Sequence, residues 1–471
     1  MVRMGMLVLS LCLAFASAHS ASEWASRNIY QLLTDRFARP NGDTSGCNNL
    51  GNYCGGGFRG IINNLDYIQN LGFDAIWVSP IVVNTDGGYH GYWAKDWYGI
   101  NPKFGSEQDF SDLISALHSR GMWIMVDVVA NHVAPIGTNL QGVGQINPFN
   151  SGSDYHSYCN INWSDSNSVQ NCWLADLPDL NQSNDYVRTT LLSWIQQLVK
   201  KWSIDGLRID TCLEVPTWFW TQFSQAAGVY TICECDDGDI KKNAPYTQGV
   251  VDATLNYPFF WVIRNTLISG QSMYNFRNYY SASSAYKNLN WEGNFVDNHD
   301  NARFLNQNGN HNKMKTALAL TAIWPGIPIV YYGGEQGYAG GNDPQNREIL
   351  WPNLKNTNSE FYTFVKTLIN SRKHMNVWSQ SYVERYVADN FFAFSRGQTL
   401  AAFTNQGNVN YTVSYHPYSV GDVVCNIFYG TGDCVTVTSA GVNVYLSGGE
   451  PKVYVPKASL LEMIDQGKIY A

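Results

Sequence analysis

Short apolar runs alternate with amphipathic stretches over most of the 471 residues. Strand-like runs fall at Tyr30–Thr34, Ala75–Val78, Trp123–Val129, Gly206–Ile209, Tyr230–Cys233, Val251–Leu255, Phe295–Val296 and Ile327–Tyr331. Helical periodicity separates them at Glu107–Ser119, Val187–Trp202, Pro216–Ala226, Lys313–Ile323 and Ser359–Arg372. This βαβα rhythm predicts an α/β fold with a parallel sheet closed by helices. The number of strands is that of a (β/α)8 TIM barrel, although doubly wound sheets share the rhythm. Two segments break it. Residues 132–181 are polar and rich in Asn, Ser and Gly, and read as a small domain B inserted after the third strand. From Val377 the helices stop and β-rich runs such as Phe391–Ser395, Leu400–Thr404 and Val453–Val455 predict a C-terminal antiparallel β-sandwich over 377–471. The barrel itself is then expected over 19–131 and 182–376.

Composition narrows the class. Hydrophobic residues make up 45% and charged residues 14%, against about 25% charged in average soluble domains, which excludes a disordered or acidic-tail protein. The net charge is −8 and no basic block appears, so nucleic acid is not an expected partner. Residues 1–18 combine Arg3, an apolar run and Ala16-Ser17-Ala18, the layout of a cleaved secretory signal. No later stretch reaches membrane-spanning length, so a secreted, extracellular, soluble protein is expected. Export permits disulfides, and three pairs close short loops: Cys47 with Cys54, Cys159 with Cys172, and Cys425 with Cys434. Cys212, Cys233 and Cys235 are left over and read as small buried hydrophobes. Export also suits the sequons at Asn162, Asn181 and Asn410.

Polar clusters sit at the ends of the apolar runs, where barrel enzymes place their catalytic groups. Asp127-Val-Val-Ala-Asn131-His132 closes the third run and Gly206-Leu-Arg208-Ile-Asp210 the fourth. Cys233-Glu234-Cys235-Asp236 closes the fifth and Val296-Asp297-Asn298-His299-Asp300 the seventh. A lone strand-end Asp often only caps the next helix. Several acids converging with aromatics, and no Ser–His–Asp signature, point instead to glycosidic bond chemistry, which needs one ionised and one protonated carboxyl. Arg208 lies two residues before Asp210 on the same strand face and is expected to keep it ionised. Asp300 is expected to raise Glu234 as a like-charged neighbour.

These clusters resemble the signature regions of family 13 glycoside hydrolases, the α-amylase family, and are most similar to secreted fungal α-amylases. The resemblance runs from Ile29-Tyr-Gln-Leu-Leu-Thr-Asp-Arg-Phe-Ala38 to Val453-Tyr-Val-Pro456, and includes Asp205-Gly-Leu-Arg-Ile-Asp-Thr211, Phe295-Val-Asp-Asn-His-Asp-Asn301 and Gly340-Gly-Asn-Asp-Pro-Gln-Asn-Arg347. It implies a monomeric enzyme that hydrolyses internal α-1,4-glucosidic bonds of an α-glucan with retention. Asp210 matches the nucleophile, Glu234 the general acid/base and Asp300 the transition-state stabiliser. His90, Tyr92, Trp93, His132, Arg208 and His299 match residues around the reacting sugar, and Gly238, Asp343 and Arg347 match further substrate contacts. The family's structural Ca²⁺ is implied between barrel and domain B, with side chains of Asn131 and Asp179 and backbone carbonyls of Gln170 and Glu214 as ligands. All-oxygen ligation suits that ion.

The chain departs from the pattern after the nucleophile. Fungal relatives continue Thr-Val-Lys-His, whereas this chain has Thr211-Cys212-Leu213-Glu214. Leu offers sugar hydroxyls no donor and an ionised Glu only accepts, so the side of the cleft that holds the leaving sugars is expected to differ. An α-glucosidase or transglycosylase of the same family is the alternative this leaves open. A catalytically weak glucan-binding protein is disfavoured by the intact acids.

Overall fold

The computed structural model describes residues 19–470; the expected signal, residues 1–18, lies outside them. Eight parallel strands form one sheet: β1 Ile29–Gln31, β2 Ala75–Val78, β3 Trp123–Val128, β4 Gly206–Ile209, β5 Tyr230–Cys233, β6 Ala253–Thr254, β7 Gly293–Asn294 and β8 Ile327–Tyr331. Sequential neighbours pair from β1 to β6, β8 pairs with β1 and with β7, and a bridge between Leu255 and Gly293 closes the ring. The (β/α)8 barrel is therefore present.

Side chains alternate across it with the period of two that a strand imposes. Ile29, Ala75, Trp77, Trp123, Met125, Tyr230, Ile232 and Ile329 fill the interior. Tyr30, Ile76, Val78, Ile124, Val126, Leu207 and Ile209 pack outward against the helices. A short helix, Ala21–Trp24, is fixed by a capping box from Ser20 and sets Trp24 across the mouth where the strands begin. The Trp24 indole donates to the Asp205 carbonyl at 3.2 Å and contacts Trp123 and Tyr230. The opposite, C-terminal mouth is left for chemistry.

Two strands differ from their expected positions. β1 ends at Gln31, and Thr34–Phe37 is a helical turn. β7 lies at Gly293–Asn294, just before the apolar pair Phe295–Val296. A Cβ at Gly293 would sit 2.7 Å from both Ile232 Cδ1 and Ile329 Cδ1. The strand therefore pairs through a residue that carries no hydrophobic signal.

Between β3 and the helix Asp185–Trp202 the chain is irregular, with short helical turns and bridges His132–Asp179, Tyr155–Leu180 and Asn160–Trp173. A disulfide joins Cys159 to Cys172 within it. After Glu360–His374 follow a six-stranded sheet and the two-stranded sheet Val409–Val413 with Val442–Leu446. Phe391, Ala393, Leu400 and Ala402 face the smaller sheet, whereas Phe392, Phe394, Ala401 and Phe403 belong to the same core as the barrel helices. Helices do not stop at Val377, because Lys457–Asp465 is helical and buries Leu460 and Met463 in that shared core.

The pairs Cys47–Cys54 and Cys425–Cys434 also form. The leftover cysteines need correcting. Cys212 and Cys233 are a fourth disulfide, with Cα atoms 5.9 Å apart, and only Cys235 stays a buried thiol. Adjacent parallel strands explain the pairing: Ile209 on β4 is in register with Cys233 on β5, and the turn after β4 brings Cys212 back over it. Among the described residues no helix is long and apolar enough to cross a membrane.

Candidate active site

The alternation that fills the barrel also aims its polar residues. Counting by twos from the interior apolar positions puts Asp127, Arg208, Asp210 and Glu234 inward at the C-terminal ends of β3, β4 and β5. Asp127 and Arg208 are register partners. The Arg208 guanidinium is 1% exposed and is the hub. Its Nη1 lies 2.9 Å from Asp127 Oδ1 and 2.6 Å from Asp210 Oδ1, and its Nη2 lies 2.9 Å from Glu234 Oε1. One planar cation thus fixes three carboxyl groups in a fork that a lysine would not reproduce.

These acids are tuned apart by burial and charge. Burial pushes Asp210 up to about 6, opposed chiefly by Arg208. Burial pushes Glu234 to about 8, with Arg208 opposing and with Asp210, Asp300 and Asp236 adding repulsion. Desolvation is thus the main cause at Glu234, with Asp300 contributing as the like-charged neighbour expected from the sequence. Asp300 behaves oppositely. Burial raises it, but His299, Arg347 and Arg208 outweigh that and hold it below the usual carboxylate range. Arg347 Nη2 is 3.3 Å from Asp300 Oδ1 and His299 Nε2 is 3.3 Å from Asp300 Oδ2.

Further groups lock this floor. The Tyr92 hydroxyl donates to Asp127 Oδ2 at 2.6 Å and meets His299 Nε2 at 2.7 Å, with the two rings stacked. The Thr211 N–H donates to Glu234 Oε2 at 3.1 Å, and the Tyr257 hydroxyl to Glu234 Oε1 at 3.4 Å. Thr211 is a β-branched residue with φ of 53°, a strained backbone next to the reacting groups. Burial drives His90 and His299 down to about 3 and His132 to about 4, so all three rings are neutral above mildly acidic pH.

Above the floor is a cleft of about 1020 Å³. Its walls include His90, Tyr92, Trp93, His132, Gln170, Asp210, Leu213, Glu214, Glu234, His299, Asp300, Asp343 and Arg347. Arg208, Asn131 and Asp179 are buried and are not among its walls. Gly238 is not among its walls; a Cβ there would meet Trp261 at 3.0 Å. Leu213 and Glu214 do face the cleft. Burial, with Glu234 nearby, pushes the Glu214 carboxyl up to about 8.

The sequence reading missed Tyr257, which opens the helix after β6, as well as Trp163 on the cleft wall. No spacing signal marks them. Asp127 and Asp236 were visible in their clusters and lacked only a role.

Cation chemistry at the rear of the cleft follows from orphaned oxygen. Asn131 Oδ1 is buried with no hydrogen-bond partner. Asp179 is 2% exposed, and burial pushes its carboxyl to about 7 despite His156 Nδ1 at 2.6 Å. The Leu180 N–H donates to the Asn131 carbonyl at 2.8 Å, which puts the two donor residues side by side. A hard cation would satisfy the amide oxygen and favour the ionised carboxylate.

Residues 31–387 match the family described as alpha amylase, catalytic domain. The chain is 38% identical over 483 aligned residues to "Alpha-amylase 2" of Schwanniomyces occidentalis, covering 95% of this chain and 93% of that protein. It is 36% identical to an "Alpha-amylase" of Saccharomycopsis fibuligera, covering 94% of each. Among solved structures, an α-amylase from Malbranchea cinnamomea superposes with a TM-score of 0.90 at 36% identity, covering 94% of this chain and 98% of that one.

Proposed function

Because the chain belongs to the α-amylase family of glycoside hydrolases, we propose that it is a secreted, monomeric enzyme that cleaves internal α-1,4-glucosidic bonds of starch-like glucans with retention. The observation that carries this reading is Arg208, whose two terminal nitrogens hold Asp210 and Glu234 at once. Carboxyls gripped by one guanidinium suit the roughly 5–5.5 Å spacing of retaining enzymes better than the wider gap that admits a water. Their protonation is also divided. Between about 6 and about 8, Asp210 is mostly ionised and Glu234 mostly protonated, the pairing that nucleophile and acid require.

Glu234 gives its proton to the departing glycosidic oxygen while Asp210 Oδ attacks the anomeric carbon, forming a glycosyl ester and releasing the new reducing-side chain. Glu234, now ionised, takes a proton from water, whose oxygen displaces Asp210 and restores the starting state. Asp300, kept ionised by the Arg347 and Arg208 guanidiniums, faces the positive charge that develops on the sugar. The neutral His90, His132 and His299 supply hydrogen bonds to hydroxyls without adding charge, and Tyr92 and Trp93 supply ring faces. Starch assayed by iodine colour and by reducing ends tests the reading. Rapid loss of colour per reducing end is expected. Slow loss would favour exo-cleavage or transfer, and no loss would favour a binding protein.

The donor set at Asn131 and Asp179, with the carbonyls of Gln170 and Glu214, would hold Ca²⁺. Bound there, the ion supplies a charge cross-link between the end of β3 and the irregular segment beyond it. Asn131 leads directly into His132, so the site also sets a cleft wall. Exhaustive chelation is expected to lower the melting temperature and activity together, with Ca²⁺ restoring both, because a ligand held only by the folded state stabilises by mass action. An unchanged melting temperature with calcium verified absent would count against the site.

Leu213 and Glu214 favour altered handling of the leaving sugars. Leu213 offers sugar hydroxyls no donor and Glu214 at most one, where a Lys–His pair offers several. The exchange Leu213→Lys with Glu214→His is expected to shift which bond of maltopentaose is cut, more than it changes the rate on long starch. Calcium affinity should hardly move, since the carbonyl at 214 survives. Unchanged maltopentaose product ratios would show that other groups hold those sugars.

A further inference from the structure

The fourth disulfide is unlike the others in where it lies. Cys47–Cys54, Cys159–Cys172 and Cys425–Cys434 each staple a loop or hairpin, whereas Cys212–Cys233 ties the turn after β4 to the end of the adjacent strand β5. Both its cysteines are fully buried. Cys233 immediately precedes Glu234, and Cys212 follows Asp210 by one intervening residue, Thr211.

The atoms around it are arranged about Glu234. The Cys212 N–H donates to the Glu234 carbonyl at 2.9 Å, and the Glu234 N–H donates to the Ile209 carbonyl at 2.8 Å. The Thr211 N–H reaches the Glu234 side chain at 3.1 Å, and the left-handed φ of Thr211 turns the chain so that Cys212 comes back over β5. A β-branched residue keeps such a conformation where its surroundings over-determine it. The Cys212 carbonyl accepts from the Trp220 indole and the Tyr246 hydroxyl, both at 3.1 Å. The sulfur bridge is the covalent member of this set and ties the turn to the strand end that carries the acid.

Resting on the hydrolase reading above, we propose that the Cys212–Cys233 disulfide is a positioning cross-link for Glu234: it holds the Thr211 turn so that the backbone N–H aims the acid at the glycosidic oxygen. Neither sulfur touches substrate. Cys235, whose sulfur lies within 4.8 Å of the other two, points outward with them and has no part in this role.

The test exploits leaving-group chemistry. A departing sugar needs the proton that Glu234 delivers, whereas a nitrophenolate departs without it. We compare kcat/KM, which reports the first bond cleavage, for maltopentaose and for an aryl maltotrioside with a nitrophenolate leaving group. Cys212→Ala combined with Cys233→Ala is expected to lower kcat/KM for maltopentaose by at least about tenfold and that for the aryl substrate by less than about threefold, since general acid catalysis is worth about 10²–10⁴ in rate. Cys235→Ala should leave the ratio of the two unchanged. If the double variant does not fold, the single Cys212→Ser is measured the same way and the same split is required. Equal losses on both substrates would make the bridge a purely structural staple and overturn the proposal, as would no loss on either. An unmodified enzyme that cleaves neither substrate would instead overturn the hydrolase reading.

Discussion

Asp210→Asn and Glu234→Gln are each expected to lower turnover of soluble starch by at least about a thousandfold, roughly 4 kcal/mol of barrier, while starch binding survives. Each amide keeps the shape of the acid it replaces. Asn cannot form the glycosyl ester, and Gln can neither deliver a proton to the leaving oxygen nor accept one from water. Arg208 still has Asp127 to grip in both variants, at 2.9 Å, and the cleft walls are untouched, so binding has no reason to collapse. The measurement is kcat beside a starch-affinity gel. Residual kcat above about a tenth of the parent, a loss under about 1.4 kcal/mol, would show that the roles are misassigned.

The second large effect belongs to Arg208. Arg208→Met leaves Asp127, Asp210 and Glu234 facing one another without their shared cation. Removing one partner of a buried ion pair costs about 3–5 kcal/mol of stability. Arg208 is also the strongest influence holding Asp210 and Glu234 down against burial. Without it both carboxyls rise further. The sign of the change in the rate profile follows. Activity requires ionised Asp210, so the acid limb, set near 6 in the parent, moves to higher pH. Glu234 stays protonated further into alkali, so the basic limb, near 8, moves the same way. The pair titrates jointly, and both limbs belong to the pair. The pH dependence of kcat/KM and a melting curve test this. A variant that loses rate at every pH without an alkaline displacement would show that Arg208 acts on geometry alone.

Much of the site could be read from the chain because strand periodicity and carboxylate spacing coincide. Arg208 and Asp210 are two residues apart at the end of an apolar run, so a period of two puts both inside whatever barrel forms. Asp127 and Glu234 obey the same count. What could not be read depends on neighbours distant in sequence. Gly293 has no apolar signal, and only Ile232 and Ile329 on flanking strands make its missing side chain a requirement. Tyr257 reaches Glu234 from a helix start that hydropathy assigns to the core. The Cys212–Cys233 bond depends on the register of β4 with β5, and three leftover cysteines allow several pairings. The terminal helix Lys457–Asp465 was hidden because it follows directly on the strand Lys452–Pro456, whose β-rich pattern dominates the region. Weighting also escaped the sequence. Which of burial or Asp300 chiefly raises Glu234 depends on how deeply the floor is sealed.

The C-terminal sheet is buried on both faces, and that has a bearing on how the enzyme can be taken apart. Phe392 and Phe394 press on Trp324, Phe364 stacks on Phe428 at 4.2 Å, and Lys315 reaches Glu450 at 2.7 Å. Leu460 and Met463 then return from the last helix into the same apolar mass. A polar cleft of about 350 Å³ lined by Lys315, Glu360, Phe428 and Glu450 opens at one edge of this contact, but the apolar mass around Trp324, Phe392, Phe394, Leu460 and Met463 is continuous across it, so neither half has that face ready for solvent. Heat should melt them as one cooperative unit, and exchange of this region between relatives becomes a core-design problem rather than a matter of joining modules at a linker.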